Sequence, residues 1–261
     1  MEMVFGIHNW PRLPAGTFAW RSGPIMAGGA KIDITIAGKG SHGAFPHFGT
    51  DPIVIASHVV CALQTIVART IDPVEGGVVT IGHIDSAGAV NVIPDTVHML
   101  GTARWYNLRV GDQIEDGIRR LTTGIAESFG AKAHVTFERV CPPTINDAEA
   151  TALALRAAAA VVGETLVTPM LHPIMAGEDF AFMLNAKRGS YILLGSGRGQ
   201  TDPTPISPTT TSTTKSCRLG LLIGQGSQSG YCFREGDALL VCRPRDLDLK
   251  CIRSMYDILF L

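Results

Sequence analysis

From Lys31 to Ile36 apolar and polar residues alternate strictly, the period of a half-buried strand. The run Gly38-Lys39-Gly40-Ser41-His42-Gly43-Ala44 that follows is too glycine-rich for a regular element and reads as a shaped loop. Asp51-Pro52 then offers an N-cap with proline at the first helical position, and Ala56, Val59, Val60, Leu63, Ile66 and Val67 keep helical spacing to about Arg69. Gly77 to Ser86 reads as a second strand, and the loop Ala87 to Asp95 joins it to a third, Thr96 to Trp105. Ile114, Ile118, Leu121 and Ile125 mark a second amphipathic helix, and alternation returns from Ala133 to Glu138 as a fourth strand. The order is β-α-β-β-α-β, the split arrangement of ferredoxin-like folds, with both helices expected on one face of the sheet.

The flanking pattern is different. Val4 to Trp10 begins like a buried strand and is expected to stop at Pro11, which cannot donate to a ladder. Pro11 to Gly29 reads as a connecting loop with an extended piece around Thr17 to Arg21. After Cys141-Pro142-Pro143-Thr144, a crossing linker, Asn146-Asp147 caps an alanine-rich helix from Ala148 to Val162 that ends at Gly163. A loop from Pro169 to Gly177, a short helix from Glu178 to Leu184 and a buried strand at Tyr191 to Leu194 complete an α/β layer continuous with the opening strand. Gly195 to Gly199 follows a strand, but no Lys-Ser/Thr and no helix come after it, which argues against a phosphate loop.

Composition narrows the class. With 261 residues, 46% of them hydrophobic and 17% charged, the chain can bury one large core or two smaller ones. A formal net charge of -1 gives no electrostatic reason to expect nucleic acid or an anionic membrane as partner. No apolar run long enough for a membrane span and no signal peptide are read, so a cytoplasmic protein is expected. The six cysteines make no C-x-x-C pair, which removes a zinc ribbon or thioredoxin-like redox motif.

Five motifs in order then carry a resemblance: Gly6-Ile7-His8-Asn9-Trp10-Pro11, Gly38 to His47 (GKGSHGAFPH), Asn91-Val92-Ile93-Pro94, Gly101-Thr102-Ala103-Arg104 and Gly177-Glu178-Asp179-Phe180. Over about residues 1 to 200 the chain resembles the metal-dependent amidohydrolases that cleave N-acyl amino acids, such as hippurate hydrolase, aminoacylase-like enzymes and auxin-conjugate hydrolases. The resemblance implies an α/β fold in which a ferredoxin-like lid (dimerisation) domain is inserted in a catalytic metallohydrolase domain. It implies catalytic-domain segments at 1-28 and 141-200 around a lid at 29-140, with a homodimer formed through the lid. It implies two divalent metal ions, zinc or manganese, and an N-acyl amino acid as substrate. The family's upstream Cys-Gly-His-Asp-Gly-His segment and Glu-Glu pair, which supply most ligands and the general base, do not occur in this chain. The expectation is therefore a family fragment in which the metal is not retained and turnover is slight or absent. The rival expectation is a noncatalytic dimerisation or binding module built on the ferredoxin-like sheet.

Carried over residue by residue, the resemblance makes His8 a metal ligand, against its plainer reading as a satisfied strand histidine. It makes His42 the lid histidine that reaches across the dimer to stabilise the developing oxyanion, against a role in stiffening its loop. Asn91 either hydrogen-bonds substrate or caps its turn. Arg104 pairs with the substrate carboxylate or with a structural partner. Glu178 lines the site or orients a ligand, and Asp179 is explained as a helix cap. His47, His58, His83, His98, His134 and His172 are read as structural or surface residues.

Residues 201-261 depart from the family. Where it continues with a metal-binding His and a Tyr-Asp-Phe-Asn-Asp-Glu pattern, this chain has a threonine run after Pro205-Ile206-Ser207-Pro208. Read one nucleotide earlier, permissible codons for Pro208 to Gly224 restore that pattern, so a reading-frame shift shortly before Pro205 is expected. The alternative is a genuine polar linker followed by a small terminal element.

Overall fold

The computed structural model describes residues 3–197 and the backbone of two strands at 230–234 and 237–241. It is a mixed α/β protein that divides into two compact units: one comprises Met1–Ile25, Thr144–Ile174 and Asp179–Leu261, the other Met26–Pro143 and Met175–Glu178.

In chain order the elements are β1 (Val4–Pro14), β2 (Phe18–Trp20), β3 (Gly23–Met26), β4 (Gly28–Ala37), β5 (Ser41–His42), α1 (Pro52–Thr65), β6 (Gly77–Asp85), β7 (Val92–Ile93), β8 (Thr96–Trp105), α2 (Leu108–Ser128), β9 (Lys132–Cys141), β10 (Thr144–Asn146), α3 (Ala148–Val162), β11 (Val167–Pro169), α4 (Ala181–Ala186), β12 (Gly189–Gly197), β13 (Gly230–Arg234) and β14 (Asp237–Val241).

The second unit is built on a four-stranded antiparallel sheet in the order β6-β8-β4-β9. Alternation places Ala30, Ile32, Ile34 and Ile36 of β4 and Val97, Met99, Ala103 and Trp105 of β8 in one buried cluster with Val59 and Leu63 of α1 and Val110, Ile114 and Ile118 of α2. The other sheet face carries polar residues, among them Lys31, Asp33 and Thr35. Helix α1 starts where the sequence predicts, the Asp51 carboxylate accepting from the Ile53 N–H at 2.8 Å, and it continues through a π-helical turn, Ile66–Thr70. Pro52–Thr70 is 19 residues with mean hydropathy 1.6, long and apolar enough to cross a membrane by length and composition. The run belongs to a helix whose Ile55, Ala56, Val59, Leu63 and Ile66 are buried in the protein's own core.

In the first unit β1 pairs in parallel with β12, and the sheet order is β11-β2-β12-β1-β14-β13. Phe5, Ile7, Phe18, Ile192 and Leu194 pack against Ala150, Ala154 and Ala158 of α3. Strand β1 does not stop at Pro11. It runs to Pro14, with the ladder to β12 shifting register between Trp10 and Pro14, so Pro11 falls where pairing is interrupted and Pro14 where it resumes, opposite Gly197. Helix α3 is capped as expected, Asp147 accepting from the Ala150 N–H at 2.9 Å, and it ends at Gly163 with φ of 89°. The short helix near Glu178 differs from expectation: it spans Ala181–Ala186 and its cap position falls on Phe180, which has no side-chain acceptor, so Asp179 is not its capping residue. Strands β13 and β14 form an antiparallel pair, with β14 alongside β1. The frame-shift expectation for the tail otherwise lies outside the described residues.

Candidate functional site

The glycine-rich loop after β4 is fastened to the loop before β8. Gly38 N–H donates to the Asp95 carbonyl (2.9 Å) and Gly40 N–H to the Asp95 carboxylate (2.8 Å). Ser41 and His42 pair antiparallel with Ile93 and Val92, and Gly43 N–H donates to the Asn91 carbonyl at 2.7 Å. His42 and Asn91 are thus neighbours, and both are exposed. Asn91 closes its contact through main chain, and its side chain makes no hydrogen bond among the described residues. The His42 ring lies 5.6 Å from that of Phe45, which with Phe48 forms an exposed aromatic cluster. Its Nδ1 accepts a hydrogen bond from the Ala44 N–H at 3.0 Å.

Arg104 lies near the other end of β8. Its neighbour in register on β4 is Gly29, whose other neighbour is Cys141 of β9. A side chain at Gly29 would occupy the path of the arginine: an added Cβ would fall 3.2 Å from Cδ and 3.0 Å from Cζ, with Nη1 closer still. A Cβ at Gly177 would lie 2.6 Å from the same Nη1 and 2.9 Å from the Cys141 Sγ. Two glycines remote in sequence therefore leave a slot for one guanidinium. The Met175–Glu178 segment that closes the slot is tied to the strand entry by the Ala27 N–H, which donates to the Ala176 carbonyl at 2.8 Å. Arg104 is half-buried and makes no ion pair or hydrogen bond through its side chain among the described residues. Its planar fork suits a carboxylate. Glu178, next to the slot, is buried at 8% exposure.

His8 belongs to the first unit. It is half-buried on β1, beside Leu193 in the ladder, with its ring 6.0 Å from Trp10 and 6.4 Å from Tyr191. Gly6, on the same face, approaches Tyr191 so closely that a Cβ there would lie 2.5 Å from the ring, and Tyr191 stacks on Phe180 at 5.0 Å. Sequence reasoning missed Asn146 as a structural pin. It is buried, donates to the Arg21 and Tyr191 carbonyls (2.9 and 2.8 Å) and accepts from the Tyr191 N–H (2.7 Å), clamping the strand that carries Tyr191. Among the other histidines, His98 Nε2 lies 2.7 Å from the Asp33 carboxylate.

Among the described residues no three His, Cys, Asp or Glu side chains stand close enough together to hold a metal ion. Fewer than three such side chains do not bind one tightly, so the residues described do not fit a two-metal centre and no chemical step is derived through it.

Residues 1–210 match the family described as Peptidase family M20/M25/M40. The N-acetyl-L-cysteine deacetylase of Bacillus subtilis is 38% identical over 195 residues, 75% of this chain and 46% of its own length. The thermostable carboxypeptidase 1 of Saccharolobus solfataricus is 37% identical over 196 residues, 75% of this chain and 49% of its own. A solved Bacillus subtilis structure described as a dinuclear metal binding peptidase of the M20 family superposes with a TM-score of 0.59 at 29% identity, covering 75% of this chain and 48% of that one. The chain spans about half the length of the curated relatives it matches.

Proposed function

The chain belongs to peptidase family M20/M25/M40, and on that premise we propose that it supplies the substrate-holding lid of a hydrolase for N-acyl amino acids, working as a homodimer. The observation that carries this reading is the length of β8. At 10 residues the strand is about 30 Å long, and the His42 loop is fastened before its start while Arg104 sits near its end. An acylated amino acid places its amide carbonyl and its carboxylate only a few bonds apart. One chain therefore cannot offer both groups to one substrate, whereas two chains related by a two-fold axis can, each giving its His42 to the other's Arg104. The strand order β6-β8-β4-β9 with two helices on one face supports reading this unit as the ferredoxin-like lid.

In this arrangement the Arg104 fork holds the carboxylate and thereby fixes the position of the acyl carbonyl. His42 of the partner subunit donates a hydrogen bond to the carbonyl oxygen, where negative charge develops as the amide is attacked. Asn91 stands beside His42 as a further polar contact, Glu178 borders the Arg104 slot, and His8 is the candidate ligand for a divalent metal. The chain on its own is expected to turn over little or no substrate.

The test is mixing. His42→Ala and Arg104→Ala chains should each fail to bind hippurate by calorimetry, while a mixture refolded together should regain a fraction of the sites, because half of every mixed dimer is intact. No recovery on mixing would sink the two-copy site. Failure of the parent chain to bind hippurate at all would favour the noncatalytic dimerisation module instead. Hippurate hydrolysis by the parent chain with zinc or manganese supplied, faster than by His42→Ala, would overturn the expectation of inactivity.

A further inference from the structure

A main-chain N–H can only donate, so the ring nitrogen that faces it must carry a lone pair. His42 Nδ1 faces the Ala44 N–H at 3.0 Å. In the neutral imidazole the single ring hydrogen then sits on Nε2. The ring is exposed, and Nε2 has no hydrogen-bond partner among the described residues. The turn that presents Ala44 is itself closed by the Phe45 N–H on the His42 carbonyl (2.8 Å) and by the Gly43 N–H on Asn91 (2.7 Å), so the donor is held from both sides.

We propose that the Ala44 amide is a positioning group that selects the Nε2–H tautomer of His42, so that this histidine works as a neutral hydrogen-bond donor and not as a proton acceptor. The opposite tautomer would place two N–H groups against each other at Nδ1 and leave Nε2 with a lone pair, the form a general base needs. A donor aimed outward suits a carbonyl oxygen on which charge grows, and it is in place before the substrate arrives. The identity of that acceptor rests on the functional reading above; the tautomer does not.

The experiment is long-range proton–nitrogen NMR on the full chain labelled with nitrogen-15, with the His42 signals assigned by their loss in His42→Gln. The expected result is a pyridine-like Nδ1, a pyrrole-like Nε2, and a through-hydrogen-bond coupling between the Ala44 amide nitrogen and Nδ1. Ala44→Gly, which keeps the amide hydrogen, should preserve the pattern, and Ala44→Pro, which removes it, should move both nitrogens toward exchange-averaged values. A protonated Nδ1 in the parent chain, or a pattern unchanged in Ala44→Pro with the loop amides intact, overturns the proposal. If the proline variant disturbs the loop, the coupling in the parent chain decides alone: its presence supports the assignment and its absence refutes it. Added hippurate should then shift Nε2; no shift with the tautomer in place counts against the functional reading and leaves the proposal standing.

Discussion

Substituting Gly29 by alanine separates the placement of Arg104 from its charge. The new Cβ would lie 3.0 Å from the guanidinium carbon and 3.2 Å from Cδ, so the side chain must leave its slot. The atoms that give way are the far end of a flexible residue, and Gly29 lies outside the positive-φ glycines, so the fold itself is barely strained. The smaller conformational freedom of alanine in the unfolded chain contributes about 0.4–1 kcal/mol in the opposite direction. Net stability should therefore change by less than about 1 kcal/mol. Binding should respond differently. A hydrogen bond to a charged group contributes about 1.5–3 kcal/mol, which at about 1.4 kcal/mol per decade is roughly a 10- to 140-fold loss of affinity for a carboxylate ligand. Calorimetry with hippurate, alongside hippuramide as its neutral analogue, reads the effect, and urea unfolding provides the stability control. The expected pattern is weakened hippurate binding, unchanged hippuramide binding and an unchanged unfolding midpoint. Unaltered hippurate affinity in Gly29→Ala, with Arg104→Ala defective, would refute the idea that the slot aims the guanidinium.

Gly6→Ala should act on stability in the first unit, because its Cβ would meet the fully buried Tyr191 ring at 2.5 Å and Phe180 at 3.1 Å; a loss of about 1–3 kcal/mol is expected in urea unfolding, and an unchanged midpoint would contradict it. Arg188, through its side-chain hydrogen bonds at 3.1 Å, holds the Asp147 carboxyl below its ordinary value of 3.8, with the Ala150 N–H adding to the effect. A carboxyl lowered in the folded state stabilises fully above its unfolded value, and that contribution is lost as pH falls through the folded one. Thermal melts should show the parent losing more stability between about pH 5 and about pH 3 than Asp147→Asn does; equal losses would count against the pairing.

What could be read in the chain beforehand was what depends on neighbours in sequence. The alternation in Lys31 to Ile36, the cap at Asp51-Pro52 and the helical spacing of Ile114 and Ile118 are local, and β4, α1 and α2 formed about them. The end of strand β1 is not legible, because Pro11 is tolerated where the ladder to β12 slips and pairing resumes at Pro14, and that register is a property of a partner far along the chain. Gly177-Glu178-Asp179 has the residue types of a helix start, yet the helix begins after Phe180. The slot around Arg104 was not legible, since Gly29 and Gly177 are unremarkable glycines until a sheet register and a distant loop bring both to one nitrogen. Nor was the donor to His42, which belongs to the main chain and leaves no mark on residue type.

The pairing of β1 with β12 bears on how the chain emerges from the ribosome. Val4 has its partner in Gly189, so β1, once made, must wait for a strand that lies far along the chain. At about 5–20 residues per second that wait is on the order of 10 to 40 s, during which the apolar residues Phe5 and Ile7 lack their native cover. The contiguous stretch Met26–Pro143 can close its own sheet in the interval. Synthesis speed and chaperone supply should therefore govern the yield of the first unit far more than that of the second.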